Sequence, residues 1–255
     1  MKYSLPNLIL LISALALSSC VTTTRLTYLQ SSAPPADTIA SVTPSEYRIM
    51  AYDNLFIRVV TPDPRVSEMF NTLSAATSGI SVTEQSADMI SYPVDGTGAI
   101  RVPYIGRMIV AGKTIAEVTT DVDLALKGYI ADPAVTVKMI NNYVSLIGEV
   151  NRPGKYPIYK DRLTIFQALA MSGDLTDFSN RQMIQLIRPT ATGNVIKEFS
   201  LNDISIMSSE FYYVMPNDVI YAKPMKGRIF QMNAFPYSLI LSTITTFVLM
   251  WNVVK

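Results

Sequence analysis

Apolar and polar residues alternate along several short stretches of this chain, which predicts strands. In the run YRIMAYDNLFIRVV, Leu55, Ile57 and Val59 recur with a period of two residues, so they lie on one side of a strand. The same alternation recurs in AVTVKMI, just after Asp132 and Pro133 turn the chain. Between these strands, the segment from Pro62 to Asp88 loses periodicity, and we interpret it as a long surface insertion.

A glycine-containing turn is predicted in YPVDGTGAIRVPYIG. Its two β-rich runs are joined by Asp95, Gly96, Thr97 and Gly98, a composition typical of a hairpin. The alternative is a phosphate-binding loop. The sequence disfavours that alternative because no helix follows that could present its N-terminal amides to an anion.

One helix is predicted to complete this first β-rich domain, over residues 46–141. Thr114 is a good N-cap and Glu117 follows three residues later, so the two form a capping box for a helix that ends near Lys127. Its apolar face comprises Ile115, Val118, Val122 and Leu126.

A second unit, over residues 142–226, is predicted from a strand, a turn, a strand, a helix and further strands. The strands are VSLIGEV, KYPIY, MIQLIRP, NVIKEFSL and PNDVIYAKP, and a helix runs from Thr164 to Met171 before Gly173. This order suggests a β-grasp-like module, so the predicted fold class is α+β.

The N-terminus has the features of a bacterial lipoprotein signal over residues 1–19. Lys2 precedes an apolar run from Leu8 to Leu17, and the lipobox LSSC ends at Cys20, the only cysteine. We expect lipid to be attached to Cys20 and the segment 20–45 to be an extended tether. The alternative is an ordinary secretory signal with an incidental cysteine.

The C-terminal stretch 235–254 is uncharged and predicts a helix that is either membrane-spanning or amphipathic. Twenty helical residues span about 30 Å, the thickness of a bilayer core. Small polar residues recur every three to four positions and predict helix packing or the lining of a pore when several copies form a ring. They are Ser238, Ser242, Thr245, Thr246 and Asn252. A buried or membrane-resting helix with incidental hydroxyls is the alternative.

Composition then excludes several classes of function. The chain has no histidine and one cysteine, so Ser-His and Cys-His hydrolysis are excluded and most metal ligands are missing. The net charge of +1 falls to zero when Lys2 leaves with the signal, and no basic tract indicates nucleic-acid binding. We expect no catalytic residues, no metal and no cofactor, so the chain is predicted not to be an enzyme.

In order and spacing, these features resemble the Wza-like outer-membrane polysaccharide export family. The resemblance rests on YRIMAYDNLFIRV, on YPVDGTGAIRVPYIGRMIVAGKTIAEV with YIADPAVTV, on VSLIGEVNRPGKYPI with LTIFQALAMSGDL, and on YYVMPNDVIY. The first two are similar to the family's export domain, and the others to its β-grasp SLBB domain. The motif positions with expected structural roles are Asp53, Gly96, Gly98, Gly106, Gly112, Asp132, Pro133, Gly148, Pro153, Gly154, Gly173 and Asp218.

The resemblance implies a homo-oligomeric ring, lipid-anchored at the outer membrane and mainly facing the periplasm. Its porin-like channel would export capsular or extracellular polysaccharide delivered by an inner-membrane co-polymerase or tyrosine-kinase-type partner. The chain departs from the family in having one clear SLBB unit and the segment 62–88. The alternative is a non-conducting scaffold lipoprotein that binds glycan or a partner protein, and a polysaccharide-processing enzyme is a third hypothesis.

Overall fold

A computed structural model of the protein describes residues 23–31, 42–71, 90–140, 142–160, 162–225 and 237–254. Cys20, the predicted lipid attachment site, lies outside the described residues. The strands are β1 (Asn54–Val60), β2 (Tyr92–Pro93), β3 (Ala99–Val102), β4 (Gly106–Ile109), β5 (Ala134–Ile140), β6 (Tyr143–Gly148), β7 (Gly154–Pro157), β8 (Leu163–Thr164), β9 (Ser179–Thr190), β10 (Gly193–Phe199), β11 (Tyr213–Val214) and β12 (Val219–Pro224). The α-helices are α1 (Pro64–Phe70), α2 (Ile115–Leu126), α3 (Ile165–Met171) and α4 (Tyr237–Val254).

The first unit is built on an antiparallel sheet of order β2-β1-β5. Ile57 lies opposite Val137 in the β1–β5 pair, so the predicted apolar faces of the two strands coincide. Helix α2 packs against this sheet. Its N-cap Thr114 and Glu117 form the predicted capping box, and Val118, Val122 and Leu126 are fully buried. The core cluster comprises Ile49, Leu55, Ile57, Val59, Phe70, Tyr92, Val94, Ile100, Val102, Val110, Val118, Val122, Leu126 and Val137.

Two predictions for the first unit need correction. The turn at Asp95–Gly98 does not close a hairpin, because β2 pairs with β1 while β3 pairs with β4. The hairpin is the β3–β4 pair, which turns through Pro103, Tyr104 and Ile105. The segment 62–88 also begins with a helix, α1, which buries Phe70 and has Asp63 as its N-cap. A helix this short leaves little periodicity to detect.

The second unit is a mixed sheet of order β10-β9-β12-β6-β7. Strands β6 and β12 are parallel and the other pairs are antiparallel. Helix α3 starts after its N-cap Thr164, close to the predicted helix start. Thr164 also forms a capping box with Gln167, which was not predicted from the sequence. The core cluster is separate from the first and comprises Val144, Leu146, Val150, Leu163, Ile165, Ala168, Leu169, Leu175, Ile184, Leu186, Leu201, Val214, Ile220 and Ala222.

Residues 23–31, predicted to be part of an extended tether, pack instead on the second unit. The amide nitrogen of Leu29 donates to the carbonyl of Leu201 at 3.1 Å, and Nδ2 of Asn202 donates to the carbonyl of Thr24 at 2.9 Å. The Tyr28 hydroxyl donates to Oδ1 of Asp174 at 2.7 Å. The composition predicted a free linker, because contacts made through the backbone produce no apolar periodicity in the sequence.

Helix α4 lies where the sequence predicts a helix, and its large apolar side chains are exposed, with Phe247 at 69% and Leu249 at 64%. Within the part of the chain that the structure describes, no helix combines the length and apolar character needed to cross a bilayer. The membrane-spanning alternative for 235–254 therefore finds no support in the described residues. Hydroxyl residues, such as Ser242 and Thr246, interrupt the apolar surface of the helix.

Candidate functional site

A cleft of about 650 Å³ lies where the two units meet. Its walls come from the segment that enters the first unit, the start of α2, the end of β5, the segment after β7 and the segment after β11. The lining residues are Thr43, Pro44, Ser45, Glu46, Tyr47, Thr114, Ile115, Ala116, Val137, Lys138, Met139, Asn142, Ile158, Tyr159, Lys160, Arg162, Tyr213, Val214, Met215 and Pro216. The cleft is thus formed by both units together.

The charges on the wall of this cleft are mainly positive. Lys138, Lys160 and Arg162 contribute cations, and Glu46 is the one carboxylate among the described lining residues. Most glycosidases use two carboxylates that face each other across the sugar, and this wall does not present such a pair. Tyr159 is 88% exposed and offers an aromatic face. The cleft can therefore hold a hydroxylated or acidic chain through hydrogen bonds and stacking.

Tyr47 connects the two units at the base of the cleft. Its hydroxyl donates to Oδ2 of Asp53 at 2.9 Å, and the side chain of Asn217 in the second unit lies beside the same hydroxyl. Burial and the adjacent Asp53 raise the pKa of Tyr47 well above its ordinary value, so the hydroxyl stays protonated. No pattern in the sequence indicates this role, because Tyr47 is one of fourteen tyrosines.

Asp53 and Asp95 belong to the predicted motif set and organise turns. Oδ2 of Asp53 accepts from the amide of Met50 at 2.7 Å, and burial raises the pKa of this carboxyl. Oδ1 of Asp95 accepts from the amides of Thr97 and Ala99, and the Thr97 hydroxyl is the main cause of its lowered pKa. Both carboxylates therefore act as acceptors that hold local backbone.

Asp218, from the PNDVIY stretch, is completely buried and is paired with Arg188 of β9. Burial raises the pKa of Asp218, and the Arg188 pair opposes that shift. Asp218 also accepts from the amide of Met215 at 2.8 Å, while Arg188 donates to the Tyr213 carbonyl at 3.0 Å. The pair thereby fixes the segment that forms one wall of the cleft. A signal for Arg188 existed in the sequence, since a lone charge interrupts the apolar strand MIQLIRP.

Two motif glycines are required by close backbone packing. Gly98 has φ +80°, and a Cβ there would approach the Ala111 Cβ at 2.4 Å. Gly148 has φ +87°, and a Cβ there would lie 2.2 Å from the Ala222 carbonyl on the parallel neighbour strand. The remaining motif positions lie in turns or at strand ends, namely Gly96, Gly106, Gly112, Asp132, Pro133, Pro153, Gly154 and Gly173. None of these positions is among the described residues that line the cleft.

The predicted polar stripe lies on α4, away from this cleft. At about 100° per residue, its five positions fall within roughly 120° of the helix circumference. The described hydroxyls bond mainly to their own helix: Thr246 donates to the Ser242 carbonyl at 2.7 Å, and Thr245 donates to the Leu241 carbonyl at 2.5 Å. Ser238 is exposed, and the side chain of Asn252 lies outside the described residues. The pore-lining role of the stripe stays a prediction.

Residues 41–140 match the family model described as "Polysaccharide biosynthesis/export protein". The chain is similar to the exopolysaccharide production protein ExoF of Rhizobium meliloti, with 30% identity over 163 residues, which cover 62% of this chain and 35% of that protein. It is also similar to the EPS I polysaccharide export outer membrane protein EpsA of Ralstonia nicotianae, with 32% identity over 155 residues, 59% of this chain and 40% of that protein.

The EpsA protein of Ralstonia solanacearum gives a third match, with 31% identity over 141 residues, 54% of this chain and 37% of that protein. The chain thus spans between about a third and two fifths of the length of these relatives. The matched family region coincides with the unit that contains Asp53, Gly98 and the α2 capping box. These matches support the resemblance of the chain to the Wza-like polysaccharide export family.

Proposed function

We propose that this protein is an outer-membrane lipoprotein that exports capsular or extracellular polysaccharide through a ring of identical subunits. The observation that carries the proposal is the match of residues 41–140 to the polysaccharide biosynthesis/export family, together with relatives named for polysaccharide export at the outer membrane. The chemistry would be translocation without bond making. A sugar chain must slide past the channel wall, so each contact has to be weak enough to release it.

The proposed lipid anchor would hold the second unit near the bilayer. Only three peptide steps separate Cys20 from Thr23, so the acylated cysteine would reach no more than about 11 Å from the docked segment. Residues 23–31 are bound to the second unit, as Tyr28 and Leu29 show. We therefore expect this unit, which we assign to the SLBB type, to lie next to the membrane surface on the periplasmic side.

Helix α4 would act as an amphipathic element that packs against its copies in the ring. Exposed apolar side chains such as Phe247 and Leu249 find no cover within the described part of one chain, whereas neighbouring copies could bury them. The stripe containing Ser242 and Thr246 would allow close helix approach because its side chains are small. An inner-membrane co-polymerase would deliver the polymer to the opposite end of the ring.

The test is to extract the full-length lipidated protein in mild detergent and to measure its mass by light scattering and its shape by electron microscopy. A version that ends before Phe235 serves as the comparison. We expect a closed ring of many copies whose helical collar disappears on truncation. A monomer or dimer in both folded versions would overturn the ring and favour a non-conducting scaffold that binds glycan or a partner protein.

A further inference from the structure

The first unit carries two arginines side by side on the exposed face of its β3–β4 hairpin. Arg101 lies directly opposite Arg107 in the antiparallel register, and both side chains are exposed. Directly opposed like charges destabilise a strand pair, with Cβ atoms about 5 Å apart. Neither guanidinium forms an ion pair with a carboxylate among the described residues. The Asp95 carboxylate interacts electrostatically with Arg107, so it offsets part of the positive charge of the pair.

An aromatic ring adjoins the same face. Tyr52 is 81% exposed although it has φ +72°, a conformation that costs free energy for a residue with a side chain. Its amide donates to the Val94 carbonyl at 2.9 Å, which fixes the backbone, and its hydroxyl lies over Gly96, where a Cβ would come within 3.1 Å. The structure thus holds the ring against the turn while little of it is buried.

Contacts connect the ring to the arginines. Gly96 precedes Thr97, and Nη2 of Arg107 donates to Oγ1 of Thr97 at 2.5 Å. Thr97 is itself fixed by Asp95, whose carboxylate accepts from its amide at 2.8 Å and from its hydroxyl. Tyr52, Thr97, Arg107 and Arg101 therefore form a continuous exposed strip, which we call the Tyr-Arg strip.

We propose that the Tyr-Arg strip binds a carboxylate-bearing sugar unit of the exported polymer. A planar guanidinium binds a carboxylate through two parallel hydrogen bonds, so two adjacent arginines select acidic residues of a glycan. The tyrosine ring offers a flat apolar surface for the C–H face of a pyranose, with a hydroxyl at its edge. The proposal rests on the export function above and specifies an acidic polysaccharide as its substrate.

The test uses the full-length protein in detergent and measures its affinity for oligogalacturonate at low salt. We expect binding that weakens as salt is added and no binding of neutral maltohexaose. Arg101→Ala and Arg107→Ala should each weaken binding roughly tenfold, since a hydrogen-bonded charge pair contributes on the order of 1.5 kcal/mol. The matched control is Arg58→Ala, an exposed arginine on β1, which should keep the wild-type affinity.

Two further readouts separate recognition from structural effects and from general attraction to acids. The unfolding midpoint of Arg101→Ala should not fall, because the substitution removes a like-charge contact. Polyglutamate should bind more weakly than oligogalacturonate, and Tyr52→Ala should abolish that difference. Unchanged affinity in both arginine variants, or an equal preference for polyglutamate in the wild type, would overturn the proposal. Either result leaves the export function standing, because that function is measured separately on the exported polymer.

Discussion

Arg188 and Asp218 form a bidentate pair inside the second unit, with Nε to Oδ1 at 2.9 Å and Nη2 to Oδ2 at 2.7 Å. The Asp218 side chain is fully buried and the Arg188 side chain is 11% exposed. Asp218 also accepts from the Met215 amide, so one carboxylate holds both β9 and the turn before β12. The PNDVIY stretch therefore acts as a structural joint beside the cleft.

Replacing Asp218 with Ala should lower the free energy of unfolding by about 3–5 kcal/mol, because Arg188 would remain largely buried without a carboxylate to balance its charge. Urea unfolding followed by circular dichroism measures the change. The control is Lys223→Ala, which breaks the exposed pair with Glu198 and should cost less than about 1 kcal/mol. Similar losses in the two variants would show that the buried pair has no special structural role.

Gly148→Ala should destabilise the second unit by more than the roughly 1 kcal/mol typical of point substitutions. The new Cβ would overlap the Ala222 carbonyl and disrupt the parallel pairing of β6 with β12. Gly154→Ala is the comparison, since its Cβ would meet only the Tyr156 ring at 3.7 Å. Thermal unfolding of the two variants checks this prediction, and equal midpoints would contradict it.

Tyr47→Phe should lower the free energy of unfolding by about 1 kcal/mol, because it removes the hydrogen bond to the buried Asp53. Tyr159→Phe should have no measurable effect, since that ring is 88% exposed. Denaturant unfolding of both variants provides the comparison. A Tyr47→Phe protein as stable as the wild type would show that the hydroxyl does not help to hold the units together.

Docking of residues 23–31 on the second unit should weaken at alkaline pH. Burial, and then the hydrogen bond to Asp174, raise the pKa of Tyr28 from 10.0 to about 12. Because the folded-state pKa is raised, the stabilisation from Tyr28 is complete below pH 10 and is lost as the pH rises towards 12. Tyrosinate absorbance, compared between the wild type and Tyr28→Phe, measures the titration. A difference spectrum that titrates near pH 10 would contradict the docked arrangement.

Local sequence signals predicted much of the fold. Alternation at Leu55, Ile57 and Val59 located β1, and the Thr114 and Glu117 capping box located α2, because both patterns depend only on neighbouring residues. The pairing of β2 with β1 instead of β3 could not be predicted in this way. The turn at Asp95–Gly98 is compatible with pairing of β2 to either strand, and the observed pairing is with β1, which is distant in the sequence.

The candidate sites were harder to predict than the elements. The cleft depends on the approach of two units, and the Tyr47–Asn217 contact joins residues that are far apart in the chain. The opposed arginines could be found only after the β3–β4 register was known, because Arg101 and Arg107 are separated by the hairpin turn. The polar stripe of α4 was visible in the sequence, but its role depends on neighbouring subunits.

The most direct test of the export function is the amount of polysaccharide that reaches the surface of the native bacterium when the gene for this chain is deleted. Surface and retained polymer should be quantified separately in the deletion strain and in a strain that re-expresses the wild-type chain. We expect surface polymer to be lost, polymer to accumulate inside the envelope, and both changes to be reversed on re-expression. Unchanged surface polymer in the deletion strain would contradict the proposed export function.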